Sequence, residues 1–154
     1  MNILIVEDRG AVTASIKPLL EKLGHIVHIA YNPADADALI IDEERGIIDA
    51  IILDLNLPTE GLNKETEIPE THKGLFSGWI WFTKHCLPKR PEMLQRTVIY
   101  SAYSEDLRQH LERKHEKKDL QLLWQTKRIR KREGPGDPNE ELLNALKQIE
   151  QRVN

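Results

Sequence analysis

The stretch IIDAIILDLNLP, residues 47–58, decides how the rest of this chain is interpreted. Residues 49–53 are predicted to form a strand. Its apolar run is continuous rather than alternating, as expected for a parallel sheet covered on both faces. The run leads directly into Asp54, and Asn56 and Pro58 follow in a loop. Burying a charge at the rim of a core is costly. Asp54 is therefore either an ordinary strand-end residue or a group held there for chemistry.

The composition indicates one soluble globular domain spanning residues 1–154. The chain is 40% hydrophobic and 31% charged, which separates it from disordered proteins. No apolar run approaches the length that spans a membrane, and the start, MNILIVEDRG, lacks a basic secretory leader. The single cysteine, Cys86, has no internal partner for a disulfide, so we expect a reducing, cytoplasmic setting.

Strand-like and helix-like segments alternate along the whole chain. The other predicted strands are residues 2–6, HIVHIAYN (25–32), RTVIYSAYS (96–104, ending at Ser101) and LQLLWQTK (120–127, ending near Lys127). The predicted helices are residues 12–23 (with Pro18 inside), 32–46, 75–87, 105–118 and 138–153. This βαβαβαβαβα order predicts an α/β fold, a doubly wound, five-stranded parallel sheet of the flavodoxin-like type.

Residues 59–74, TEGLNKETEIPETHKG, interrupt this alternation. They are polar and without periodicity, so they are predicted to form a long loop insertion, and loops of this length are usually functional or mobile. The chain closes with the fifth predicted helix, and no output domain is expected after it.

Polar side chains follow the first, third, fourth and fifth predicted strands, whose carboxyl ends meet at one edge of the sheet. They are Glu7, Asp8, Asp54, Ser101 and Lys127. Three neighbouring carboxylates repel one another unless a cation is present, and oxygen ligands suit Mg²⁺. An aspartate can act as a nucleophile toward phosphorus, while a lysine and a serine can contact phosphoryl oxygens. The set predicts phosphoryl transfer to Asp54.

These residues also carry a family resemblance. ILIVED, IILDLNLP, the Ser101-Ala102 pair and Lys127 together resemble the CheY-like receiver domain of two-component response regulators. The resemblance implies that Asp54 takes a phosphoryl group from a histidine kinase or a histidine phosphotransfer protein. Catalysis by the chain itself would then be at most self-phosphorylation from a phosphodonor and slow autodephosphorylation.

The resemblance also implies roles for the surrounding residues. Glu7, Asp8 and Asp54 would hold Mg²⁺ together with the backbone carbonyl of Asn56. Ser101 and Lys127 would report the phosphorylated state. Trp124, three residues before Lys127, would be the switch aromatic.

The sequence departs from the receiver pattern at three places. The insertion lengthens the segment between Asp54 and Ser101, Arg128 stands where the family usually has proline after the lysine, and the switch aromatic is a tryptophan. These departures leave open a phosphorylation-independent interaction module with the same fold. A hydrolase or phosphatase using Asp54 is disfavoured, because the position two residues on is Asn56 rather than a second acid.

The charge distribution suggests a partner. Between Arg108 and Arg132 there are ten Lys/Arg and three Asp/Glu, although the whole chain has a net charge of −3. This stretch includes the surface that receiver domains usually use for output, so we expect an acidic protein partner or a homodimer. Direct nucleic-acid binding is not expected, since no groove-reading motif accompanies the charge.

Overall fold

The computed structural model describes residues 1–42, 46–131 and 138–153, and it contains a single parallel sheet. The strands are β1 (Asn2–Val6), β2 (Ile26–Ala30), β3 (Ala50–Leu53), β4 (Thr97–Tyr100) and β5 (Lys127–Ile129). Their spatial order is β2-β1-β3-β4-β5, and every pair is parallel. The predicted five-stranded, doubly wound sheet is confirmed.

Helices cover both faces of the sheet. They are α1 (Gly10–Lys22), α2 (Pro33–Ile40), α3 (Ser77–Trp81, a π-helical segment Phe82–Cys86 and a last turn Leu87–Lys89), α4 (Ser104–Arg113), α5 (Lys117–Gln125) and α6 (Pro138–Val153). Short 3₁₀ helices lie at Ile68–Thr71 and Pro91–Gln95. One core lies between the sheet and α2 to α5, and a second lies between the sheet and helices α1 and α6. Within the described ranges, no helix is both long enough and apolar enough to cross a bilayer.

The strand register brings the carboxyl ends of β1, β3 and β4 to one edge. Val6 pairs with Leu53, and Leu53 pairs with Ile99. The amide of Asp54 then donates to the carbonyl of Val6 at 2.9 Å, and the amide of Ser101 donates to that of Ile129 at 3.2 Å. Residues that directly follow these strands are therefore placed side by side by backbone hydrogen bonds.

The predicted strand LQLLWQTK is wrong, because most of it forms helix α5. Leu120 and Leu123 lie three residues apart and both enter the core, as helical periodicity requires. The true β5 begins only at Lys127 and has one fully buried residue, Ile129, because it is a short edge strand.

Two predicted helix ends also differ. Helix α4 stops at Arg113, because His115 adopts a left-handed conformation with φ of 56° and starts a turn into α5. Helix α2 stops at Ile40, well before Gly46. Residues 43–45 of that prediction lie outside the described residues.

The insertion, residues 59–74, packs against α2 and α3. The amide of Ala34 donates to the carbonyl of Glu60 at 3.0 Å. Gly61 approaches so closely that a Cβ there would lie 2.5 Å from the backbone nitrogen of Ala34, and its φ is +92°. Thr71 is completely buried. The insertion was expected to be a loop without secondary structure, but it contains the 3₁₀ turn Ile68–Thr71 and several fixed contacts.

Candidate functional site

Four of the predicted side chains lie at the carboxyl edge of the sheet. Glu7, Asp54 and Ser101 are buried, with exposed fractions of 2%, 2% and 0%, whereas Asp8 is exposed. Each follows its strand within two residues, so the placement comes from the strand register described above. Two buried carboxylates at one edge of a sheet are rare in proteins unless cations neutralise them, so this edge is a candidate functional site.

Asp54 has hydrogen-bond donors on both carboxylate oxygens. Its Oδ1 accepts from the Ser101 hydroxyl at 2.6 Å and from the Leu55 amide at 2.7 Å. Its Oδ2 accepts from the Lys131 ammonium at 2.8 Å. These charge-assisted bonds hold the carboxylate in one orientation.

The lysine that contacts Asp54 is Lys131 and not the predicted Lys127. The Lys131 ammonium also contacts a carboxylate oxygen of Glu7 and lies 5.5 Å from the centroid of the Tyr100 ring. Its amide donates to the carbonyl of Ser101 at 3.4 Å. Lys127 instead begins β5 opposite Val98, at the amino edge of the sheet, and is exposed.

Trp124 lies away from this edge as well. It is on α5 and 62% exposed, so the predicted position on a strand beside the site is wrong. The residue three positions before Lys131 is Arg128, which pairs in register with Ile99. The side chain at that position is therefore a cation rather than an aromatic ring.

The electrostatics of the site favour a cation. Burial, followed by the nearby charge of Asp54, raises the pKa of Glu7, and Lys131 only partly offsets the effect. Carboxylate oxygens of Glu7, Asp8 and Asp54 lie within 4.8 Å of one another. An all-oxygen donor set with three negative charges fits Mg²⁺, which retains some water ligands. The half-buried Asn56 follows in the same loop, and the role of its carbonyl stays a prediction.

Gly78, which sequence reasoning missed, shapes the backbone at Asp54. A Cβ at Gly78 would lie 2.0 Å from the carbonyl oxygen of Asp54, and the Gly78 amide donates to the carbonyl of Leu55 at 2.9 Å. Helix α3 therefore begins directly against the loop that carries Asp54. The insertion hides this relation in the sequence, because it lies between the two residues and separates them by 24 positions.

Comparison with known proteins supports the fold. No family model and no curated protein sequence match the chain. Among solved structures, a response regulator receiver domain protein (CheY-like) from Methanospirillum hungatei JF-1 superposes with a TM-score of 0.62 at 20% identity, covering 98% of this chain and 94% of that one. The chain has the CheY-like receiver fold.

Other receiver domains give the same result. The receiver domain protein from Clostridium thermocellum has a TM-score of 0.60 at 18% identity, with 98% of each chain covered. The non-phosphorylated HemR receiver domain from Leptospira biflexa has a TM-score of 0.57 at 20% identity, with 96% of this chain and 92% of that chain covered. The receiver fold thus extends over almost the whole chain, and at these identities the similarity establishes the fold.

Proposed function

We propose that this receiver-fold chain is a response regulator whose Asp54 accepts a phosphoryl group in a Mg²⁺-dependent reaction. The observation that carries the proposal is the set of contacts at Asp54, with Ser101 on one oxygen and Lys131 on the other. A buried aspartate with a hydroxyl, an ammonium and further carboxylates around it matches the needs of phosphoryl transfer, which depends on positioning and charge neutralisation.

Each side chain has a defined part in this reaction. An Asp54 carboxylate oxygen forms a bond to phosphorus while the bond from phosphorus to the donor's leaving group breaks, and the leaving group keeps that electron pair. Ser101 and Lys131, which now contact the carboxylate, would turn to the phosphoryl oxygens. Glu7, Asp8 and Asp54 would hold Mg²⁺, whose charge offsets that of the phosphoryl oxygens.

The donor proposed for this reaction is a histidine kinase or a histidine phosphotransfer protein. A groove beside the site supports a downstream partner with acidic side chains. It has a volume of about 510 Å³ and is lined by Ser104, Glu105, Arg108, Arg128 and Arg130. Three arginines face a single glutamate there, and Arg108 already pairs with that glutamate. The remaining positive charge would attract acidic residues of a partner or of a second copy of the chain.

The intact mass of the protein tests the proposal. We expect incubation with acetyl phosphate and Mg²⁺ to add one phosphoryl group to the wild type. The gain should disappear without Mg²⁺ and in Asp54→Asn, which keeps the size of the side chain. A folded wild-type protein that gains no mass would contradict the proposal.

One observation favours a second candidate, the phosphorylation-independent interaction module. Lys131 contacts both Glu7 and Asp54, so the buried carboxylates have a counter-ion that the protein itself supplies. A site neutralised in this way can be stable without metal or phosphate. Failure of the mass experiment would favour this candidate.

A further inference from the structure

We propose that the insertion is held in place by two histidine contacts with opposite charge requirements. One needs a protonated ring and the other a neutral ring. The insertion is therefore most firmly packed at about pH 6.5, the ordinary pKa of histidine, and loosens on both the acidic and the alkaline side.

The first contact joins α2, α3 and the insertion through His85. Its Nδ1 lies 2.8 Å from an oxygen of Asp37 on α2, and its Nε2 lies 2.9 Å from both carboxylate oxygens of Glu67 in the insertion. Ionised carboxylates only accept hydrogen bonds, so both ring nitrogens must carry a proton. The geometry therefore requires an imidazolium ion between two carboxylates.

Other groups around His85 are consistent with this charge state. Asp37 also accepts from the indole of Trp81 at 3.1 Å and lies 3.5 Å from the ammonium of Lys89. Burial alone would lower the pKa of His85, but the hydrogen bonds to Asp37 and Glu67 outweigh it, and the pKa is raised.

Glu67 is itself held within the insertion. Burial would raise its pKa, but the hydrogen bond from the Asn63 amide at 2.7 Å and those from His85 lower it overall. The nearby Lys84 acts in the same direction and also pairs with Glu70 of the insertion at 2.6 Å. The Glu67 carboxylate that bonds to His85 therefore stays ionised to a lower pH than an ordinary glutamate.

The second contact joins the insertion to α4 through His110. The His110 ring lies 5.0 Å from the ring of His72 and 5.2 Å from that of Phe76, measured between centroids. Burial lowers the pKa of His110, and the charges of Lys114, His72 and Arg113 lower it further. Arg113 and Lys114 lie three and four residues after His110 at the end of α4, so a charge on His110 would repel theirs and the contact favours a neutral ring.

Three acids lie close to the second contact, but the pKa of His110 is still lowered. They are Glu70, Glu116 and Asp119, which line the small cavity beside His110. Asp119 accepts a hydrogen bond from the Trp79 indole at 2.9 Å, and Glu70 pairs with Lys84, so two of these charges are already engaged.

The backbone of the insertion at the second contact is strained and depends on surrounding contacts. His72, Lys73 and Gly74 are consecutive left-handed residues, with φ of 51°, 60° and 91°. Such conformations are unfavourable for residues other than glycine. They persist only when surrounding contacts determine them. The stack of His72 on Phe76, at 5.8 Å and 17° between planes, is one such contact. Charging His110 would weaken this support.

The two contacts give opposite pH dependences. His85 has a raised pKa in the packed state, so its contribution is complete below its ordinary pKa and is lost as pH rises through the raised value. His110 has a lowered pKa, so its contribution is complete above its ordinary pKa and is lost as pH falls through the lowered value. The opening equilibrium of the insertion should therefore rise by up to about tenfold per pH unit in each direction from about pH 6.5.

Amide exchange measured by NMR on the full chain between pH 5 and 8 tests this inference, with opening equilibria derived for residues 62–73. We expect a V-shaped profile in the wild type. His85→Gln should remove the alkaline limb and His110→Phe, which keeps a ring, should remove the acidic limb. His115→Asn alters an exposed histidine whose left-handed backbone asparagine tolerates, and should keep both limbs.

Ring-proton titrations in the same samples provide a second measurement that needs no variant. A His85 pKa above that of His115 and a His110 pKa below it would support the inference. A flat exchange profile in the wild type, limbs that persist in His85→Gln and His110→Phe, or a His85 pKa at or below that of His115 would overturn it.

Discussion

The site and the insertion that begins five residues after Asp54 are built in different ways. Glu7, Asp54 and Ser101 are positioned by the strands that precede them, through backbone hydrogen bonds between those strands. The insertion is positioned by side-chain pairs such as His85 with Asp37 and Glu67. We conclude that the site geometry should tolerate surface and pH changes that loosen the insertion. The predictions below test this difference, starting with the largest effect.

Gly78→Ala should have the largest effect, because it is the one change that disturbs the backbone of the site. The added methyl group would lie 2.0 Å from the carbonyl oxygen of Asp54, so the helix or the loop must shift. We expect a loss of about 3 kcal/mol in the free energy of unfolding, measured with urea. Gly10→Ala meets no atom within 4 Å and is the matched control. An equal, small effect in both variants would contradict this account of Gly78.

Ser101→Ala should have the next largest effect on stability. It removes the 2.6 Å hydrogen bond to Asp54 and leaves Oδ1 with only the Leu55 amide. A hydrogen bond to a charged group contributes about 2 kcal/mol, and we expect a loss of that size in urea unfolding. Ser101→Thr retains the hydroxyl and should recover most of the loss. The exposed Ser15→Ala should change the value by less than about 0.5 kcal/mol.

The stability of the metal-free protein should depend on pH through Glu7. Its pKa is raised above the usual 4.5, so the folded state holds an extra proton between the two values. Stability should therefore fall as pH rises through this window. Mg²⁺ binds the ionised carboxyl and should reverse the trend, adding about 1.4 kcal/mol at tenfold its Kd.

Urea midpoints with and without Mg²⁺ between pH 4 and 8 would measure both effects. Glu7→Gln should show neither the Glu7-dependent slope nor the response to Mg²⁺. A full Mg²⁺ response in Glu7→Gln would place the cation elsewhere.

Trp124→Phe should have the smallest effect. The indole is 62% exposed and far from the site, so the free energy of unfolding should change by less than about 0.5 kcal/mol. Trp81→Phe is the contrast, because it leaves a buried gap and removes the hydrogen bond that the Trp81 indole donates to Asp37 of the His85 contact. A larger loss from Trp124→Phe than from Trp81→Phe would contradict the exposed position of Trp124 on α5.

How much could be predicted from the sequence depended on the length of the strand. The runs before Glu7, Asp54 and Ser101 contain three or four consecutive apolar residues, so their ends and the polar residues after them could be predicted directly. Strand β5 has the sequence KRI and shows no such signal. The mostly apolar segment LQLLW before it, residues 120–124, fits a strand or a buried helix equally well, because short apolar segments do not distinguish the two.

That ambiguity moved the predicted lysine by four positions. The basic stretch offers Lys127 and Lys131, and only the true end of β5 distinguishes them. Side-chain contacts away from the strand ends could not be predicted at all. The partners of His85 lie 18 and 48 residues away, and the need for glycine at position 78 appears only when α3 meets the Asp54 loop.

The most direct test of the central claim compares the two lysines in phosphoryl transfer. Wild type, Lys131→Met and Lys127→Met would be incubated with acetyl phosphate and Mg²⁺, and the initial rate of the one-phosphoryl mass gain would be measured. We expect Lys127→Met to match the wild type and Lys131→Met to be slower by about tenfold or more, because an ammonium aimed at the reacting group is lost. A slow Lys127→Met together with a normal Lys131→Met would contradict the site described here.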